Sequence, residues 1–319
     1  MADYEFRAVQ VALIERELTT RRLMRGILQR LGVEMLREYA SLTEALPELR
    51  HLHADLLIMD VDLDHGEAFK FISAMRHGLF EVNPFTCVLA TTWQPTPALL
   101  GRFASSGADD LLLKPFSVNQ VIERLSFMIE GRKPFVVTSD YVGPDRRKGA
   151  REGIQIPLID VPNTLRRKAI RDYAPAEIDQ HTEAASRAIN DQKVVRCGFQ
   201  IAFLIDFALP GLTGKYANQQ AIDHLLRVPA MIDELMRRLK DSDLEVVAGR
   251  YAMKISERIE RVQHGAISIE DPDAMRSDAF GLMALTQRTA DTGRLEREVA
   301  AAVNAYRNRL EQRAQQGRP

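Results

Sequence analysis

Three short apolar runs each end in a polar side chain. Leu56-Leu57-Ile58-Met59 runs into Asp60, Cys87-Val88-Leu89-Ala90 closes on Thr91, and Leu111-Leu112-Leu113 closes on Lys114. Unbroken apolar stretches of this kind are the pattern of strands buried on both faces of a parallel sheet. Parallel strands emerge at a common carboxyl edge, and open α/β sheets build their sites there. The chain therefore delivers a carboxylate, a hydroxyl and an ammonium to one edge: a nucleophile or ligand, a hydrogen-bonding group and a fixed positive charge.

This constellation, extended by Lys114-Pro115-Phe116, resembles the receiver domain of two-component response regulators over residues 7 to 132. The resemblance implies a doubly wound α/β fold with a five-stranded parallel sheet. It also implies that Asp60 is the phosphoacceptor, Thr91 the switch hydroxyl and Lys114 the phosphate-contacting lysine, with a cis Lys-Pro bond of the kind that X-Pro alone reaches cheaply. A sensor kinase is the implied partner. Mg²⁺ is the implied cofactor, because an attacking carboxylate and an incoming phosphoryl group are both anionic and must be neutralised together.

The chain departs from the family pattern at three places. The acidic pair that holds the cation at the end of the first strand is here Glu15-Arg16, a match fixed by the following helix, Leu18 to Met24. A guanidinium stays protonated in a folded protein, so Arg16 opposes a cation and is able to pair with Asp60 instead. Alternatively Arg16 swings into solvent, and Glu15, Asp60 and Asp62 recruit a weakly held Mg²⁺. The loop Val61-Asp62-Leu63-Asp64-His65-Gly66 lacks the family's proline and reaches its glycine early, and His65 beside two aspartates reads as solvated. Leu111 replaces the aromatic switch residue, so the usual coupling of Thr91 to a ring flip has no ring to move.

Composition is that of an ordinary two-domain chain. The 319 residues are 45% hydrophobic and 27% charged, with a formal net charge of -1, which gives no general pull toward nucleic acid or anionic membrane. Two cysteines, Cys87 and Cys197, argue against a disulfide framework, and Cys87 reads as an inert core thiol. The N-terminus shows no secretory pattern, and the longest apolar stretch, Phe199 to Leu209, is interrupted by Gln200 and Asp206. A cytoplasmic protein with no membrane contact is the expectation.

The expected organisation is a receiver at 1–132, a basic linker at 133–174 and a mainly α-helical domain at 175–319. Between Tyr141 and Tyr173 eight basic residues face four acidic ones, a local +4, in a segment opened by Tyr141-Val142-Gly143-Pro144-Asp145-Arg146-Arg147. Further on, helical spacing dominates. One stripe runs from Ile222 to Leu239 with Pro229 as a break, a second from Leu244 to Val262 with Gly265 as its stop, and a third is Leu295, Val299, Ala302, Tyr306 and Leu310. The third stripe suggests completion of an apolar core across a homodimer. His224 lacks the Lys-Gly that follows a phosphotransfer histidine. The sequence has no phosphate loop, no metal-ligand motif and no basic recognition helix. The reading is of a non-enzymatic, atypical response regulator that signals through protein contact, with a nucleic-acid-binding transcriptional or RNA regulator using the basic linker and the helices between about 216 and 264 as the alternative.

Overall fold

The computed structural model describes residues 4–62, 67–147, 157–212, 219–264 and 271–315. The chain divides into two compact units, 1–189 and 190–319.

The first unit opens with β1 (Gln10–Ile14), α1 (Leu18–Arg30), β2 (Met35–Tyr39), α2 (Leu42–Leu49), β3 (Leu56–Asp60), α3 (Glu67–Arg76), β4 (Cys87–Thr92), α4 (Pro97–Ser106), β5 (Asp110–Leu113) and α5 (Val118–Glu130). Its five strands are all parallel, in the order β2-β1-β3-β4-β5. Alternate residues of each strand feed opposite layers. Ala12, Ile14, Leu57 and Met59 pack with α2, α3 and α4, while Val11, Leu13, Leu56 and Ile58 pack with α1 and α5. Every residue of β3 and β4 is buried, as expected of central strands covered on both faces. Asp60 pairs in register with Thr91, so the strand ends named from sequence do meet at one edge. Ser117 starts α5 with a reciprocal capping box to Gln120, which begins the helix directly after Lys114-Pro115-Phe116. The Lys114-Pro115 bond is cis.

The segment expected to be a linker is folded. Phe135–Val137 (β6) and Val142–Pro144 (β7) form an antiparallel hairpin, Phe135 bridges to Ile159, and Thr164–Ala169 forms α6. Phe135, Val137, Val142, Ile159 and Val161 bury with Phe85, and Leu165 and Ala169 join the α1/α5 layer. The expected boundaries at 132 and 174 thus fall inside the first compact unit, because these scattered apolar residues complete its core. Gly107 shows how closely the hairpin approaches. It ends α4 with φ of 85°, and a Cβ on it would meet the Val142 carbonyl oxygen at 2.6 Å, so the left-handed turn and the backbone contact both demand glycine.

The division between the units falls within α7 (Pro175–Ala208). The second unit continues through a 3-10 turn (Leu209–Gly211), α8 (Gln219–Leu225), α9 (Val228–Leu239), α10 (Glu245–Gln263), α11 (Asp271–Thr286) and α12 (Thr292–Gln315). Pro229 sits in the first turn of α9, where its missing N–H costs nothing, so it separates two helices as anticipated. Gly265 lies outside the described residues. The residues from Pro175 to Gly211 are long and apolar enough, by length and composition, to cross a membrane. Ile201, Ala202, Leu204, Ile205 and Ala208 are nonetheless buried among the other helices of the second unit.

The third stripe also finds its partners within the chain. Leu295 and Val299 are wholly buried, and Val303, outside that stripe, is nearly so. Part of the apolar area that suggested a homodimer is covered intramolecularly, while Ala302, Tyr306 and Leu310 are half-buried. His224 packs edge-on to Phe207 at 4.6 Å and to Tyr306 at 6.0 Å between ring centroids, and burial lowers its pKa.

Candidate functional site

The carboxyl edge of the sheet gathers Glu15, Asp60 and Lys114, which are 2%, 6% and 5% exposed. Each is there because its strand ends there. Glu15 follows β1, Asp60 closes β3, and Lys114 follows β5. The Lys114 Nζ lies 2.7 Å from Glu15 Oε2 and 2.9 Å from Asp60 Oδ1, the distances of charge-assisted contacts. Glu15 Oε1 accepts from the Glu17 backbone N–H at 2.9 Å, and Asp60 Oδ1 also accepts from the Asp62 N–H at 3.0 Å. Burial raises the Glu15 pKa above its usual value. Lys114 and the Glu17 N–H pull against that rise, and the Asp60 charge adds to it.

Asp62 is fully engaged. Its Oδ1 accepts from the Thr92 hydroxyl at 2.7 Å and its Oδ2 from the Trp93 N–H at 2.7 Å. The hydroxyl that ties the β3 end to the β4 end is thus Thr92, one residue beyond the Thr91 singled out from sequence. Thr91 is buried beside Asp60, and its carbonyl accepts from the Val61 N–H at 2.9 Å. The Trp93 ring is half exposed, with its centroid 5.9 Å from Lys114 Nζ.

A divalent cation does not fit the residues present. Among the described residues, no group of three His, Cys, Asp or Glu side chains converges as a metal would require. The expected set of Glu15, Asp60 and Asp62 is dispersed for identifiable reasons. Lys114 stands between the first two, and both Asp62 oxygens serve Thr92 and Trp93. Arg16 is exposed. The cation paired with Asp60 is Lys114, so the suggested Arg16–Asp60 pair is not what forms. His65 and residues 63–66 lie outside the described residues.

A carboxylate held at a strand end beside a buried ammonium decides the nature of this edge. The sequence of residues 11–126 matches the response regulator receiver domain family. Residues 11–126 form a receiver domain. The receiver is similar to the chemotaxis protein CheY of Thermotoga maritima, 21% identical over 117 residues that make up 37% of this chain and 94% of that protein. Solved structures to which the chain is similar include the Vibrio cholerae chemotaxis response regulator CheY4, 24% identical, covering 37% of this chain and 96% of that one with a TM-score of 0.34. A response regulator from Thermotoga maritima is also 24% identical, covering 37% of this chain and 94% of that one, with a TM-score of 0.33.

At the opposite edge of the receiver sheet lies a charge cluster that sequence reading did not single out. Asp109, just before β5, receives Arg76 through Oδ2 and Arg132 through Oδ1, each at 2.8 Å. Arg76 has a fully buried side chain and also donates to the Gly107, Thr86 and Pro84 carbonyls. Burial lowers its pKa to about 10, with Asp109 opposing. Both guanidiniums lie against the Phe135 ring, at 5.1 and 5.3 Å from its centroid. Asp109 alone reads as an ordinary strand-end residue, and only the fold brings the two arginines to it.

Most of the described basic residues of the supposed linker are also paired. Arg147 makes a bidentate pair with Asp145. Arg146 donates to the Ala108 carbonyl and stacks on Phe103, 4.1 Å from the ring centroid. Arg166 meets Glu130, Arg167 meets Asp172 and Glu177, Lys168 meets Asp55, and Arg171 meets Glu5. Lys148 and Arg151 lie outside the described residues.

Proposed function

We propose that this chain is an atypical, non-enzymatic response regulator that acts in the cytoplasm through protein contact, with a receiver that accepts phosphoryl groups at Asp60 poorly. In that reading a sensor kinase or another protein partner addresses the receiver, and the helical region carries the output. Thr91 and Lys114 sense the state of Asp60, and any Mg²⁺ is held weakly. The single observation carrying the proposal is the distribution of charge at the carboxyl edge. Lys114 already bridges Glu15 and Asp60, Asp62 is spent on Thr92 and Trp93, and Arg16 takes the place of an acid.

In phosphorylation an Asp60 oxygen would attack phosphorus as the donor's leaving group departs, with Lys114 facing the added negative charge. Without a second cation the approach of two anions is poorly compensated. The pairing of Arg147, Arg166, Arg167, Lys168 and Arg171 with protein acids favours a protein partner over nucleic acid, since a nucleic-acid backbone needs a row of free cations.

Incubation of the purified chain with Mg²⁺ and a small phosphodonor tests this, with intact-mass analysis of Asp60. Wild type should be labelled slowly or not at all and Arg16→Asp faster. Rapid stoichiometric labelling of wild type contradicts the proposal.

A further inference from the structure

At the amino edge of the receiver sheet, far from Asp60, a partly open cavity of about 150 Å³ is lined by Asp109, Asp110, Phe127, Met128, Arg132, Lys133, Pro144 and Arg146. β5 runs from Asp110 at this cavity to Leu113, next to Lys114, so its length, roughly 13 Å, separates the two sites. That room is enough for one small ion.

The charges around the cavity do not balance. Among the described residues, Arg76, Arg124, Arg132, Lys133, Arg146 and Arg147 stand against three carboxylates, Asp109, Asp110 and Asp145. Each carboxylate is already matched: Asp109 holds Arg76 and Arg132, Asp110 holds Arg124, and Asp145 holds Arg147. The surplus therefore falls on the residues that line the cavity. Two of them keep buried donors without acceptors among the described residues, Arg132 at Nη2 and Arg146 at Nε. The Arg132 side chain is only 4% exposed. A buried guanidinium donor left unpaired is unfavourable, and an oxyanion is the group whose geometry answers several guanidiniums at once.

We propose that this cavity binds a free tetrahedral oxyanion of the size of phosphate or sulfate. The ion would join three elements that meet there: the start of β5, the end of α5 and the hairpin at Pro144 to Arg146. Its binding would fasten the hairpin to the receiver.

The test titrates the full chain with inorganic phosphate and, in parallel, with O-phosphoserine, by calorimetry and by amide NMR. Phosphate should saturate one site with a Kd of about 1 mM or tighter. Amide shifts should centre on Asp109, Asp110, Met128, Arg132 and Arg146, leaving Asp60 and Lys114 unmoved. O-phosphoserine, with the same headgroup on a stem too large for the cavity, should bind at least about tenfold more weakly. Lys133→Gln alters an exposed side chain and should retain the fold while weakening phosphate about tenfold, with Arg146→Gln weakening it further. No saturation, shifts confined to the Asp60 edge, preference for O-phosphoserine, or unchanged affinity in a folded Lys133→Gln would each overturn the proposal.

Discussion

At one end of the receiver sheet a lysine lies between two carboxylates, and at the other an aspartate lies between two guanidiniums. Both clusters are buried and both are one charge out of balance, in opposite directions. The difference between them is chemical. Glu15 can shed charge by taking up a proton, whereas Arg76 and Arg132 have no such escape. Removing the central group should therefore be far more damaging at the arginine end.

The largest effect is expected for Asp109→Asn. It leaves two guanidiniums facing each other in the core and should cost about 3–5 kcal/mol in denaturant unfolding. Lys114→Gln leaves two carboxylates at a slightly exposed edge, and its cost should be about 1–3 kcal/mol near neutral pH. That cost should shrink on acidification, as one carboxyl protonates. Equal, pH-independent losses for the two variants would break the comparison.

A smaller effect concerns Glu15 in the intact cluster. Its pKa in the folded chain is raised by burial, so the native state holds the proton more tightly than the unfolded state does. Its contribution to stability is present below the unfolded carboxyl pKa and is lost as pH rises through the raised folded value. Unfolding free energies of wild type and Glu15→Gln, measured from acid to neutral pH, should show the wild-type advantage falling as pH increases. A rise would mean that the Lys114 attraction outweighs burial.

Cys87 gives the least effect of all. Burial pushes its thiol up to about 12, so alkylation of the folded chain at mildly basic pH should leave it unmodified, as mass spectrometry can check.

The legible parts of this molecule were those whose signal is local. β3, β4 and β5 announce themselves because central parallel strands are apolar without interruption, and Asp60 and Lys114 are found by where those runs stop. β2 reads Met35-Leu36-Arg37-Glu38-Tyr39 and is exposed at alternate positions, so nothing in that segment marks a strand until β1 pairs with it. Thr91 and Thr92 are adjacent and chemically alike, and only the pleat decides that Thr92 reaches Asp62. The Asp109 cluster depends on partners 33 and 23 residues away in sequence, a separation no local pattern can report. The hairpin was hidden by its turn residues, since Gly143 and Pro144 read as linker although Phe135 and Val142 carry its burial. The stripe on α12 is legible as apolar, but sequence alone does not show that Leu295 and Val299 bury within the helical unit itself.

The central claim is that the carboxyl edge, as its charges are arranged, disfavours a divalent cation. Trp93 is the only tryptophan in the chain, and its ring lies 5.9 Å from Lys114 Nζ, so its fluorescence reports directly on this edge. In a Mg²⁺ titration of wild type and Arg16→Asp, the account predicts no saturable change for wild type at or below about 1 mM and a saturable one for the variant. Saturation of wild type at or below about 1 mM, with Arg16→Asp no tighter, would contradict it.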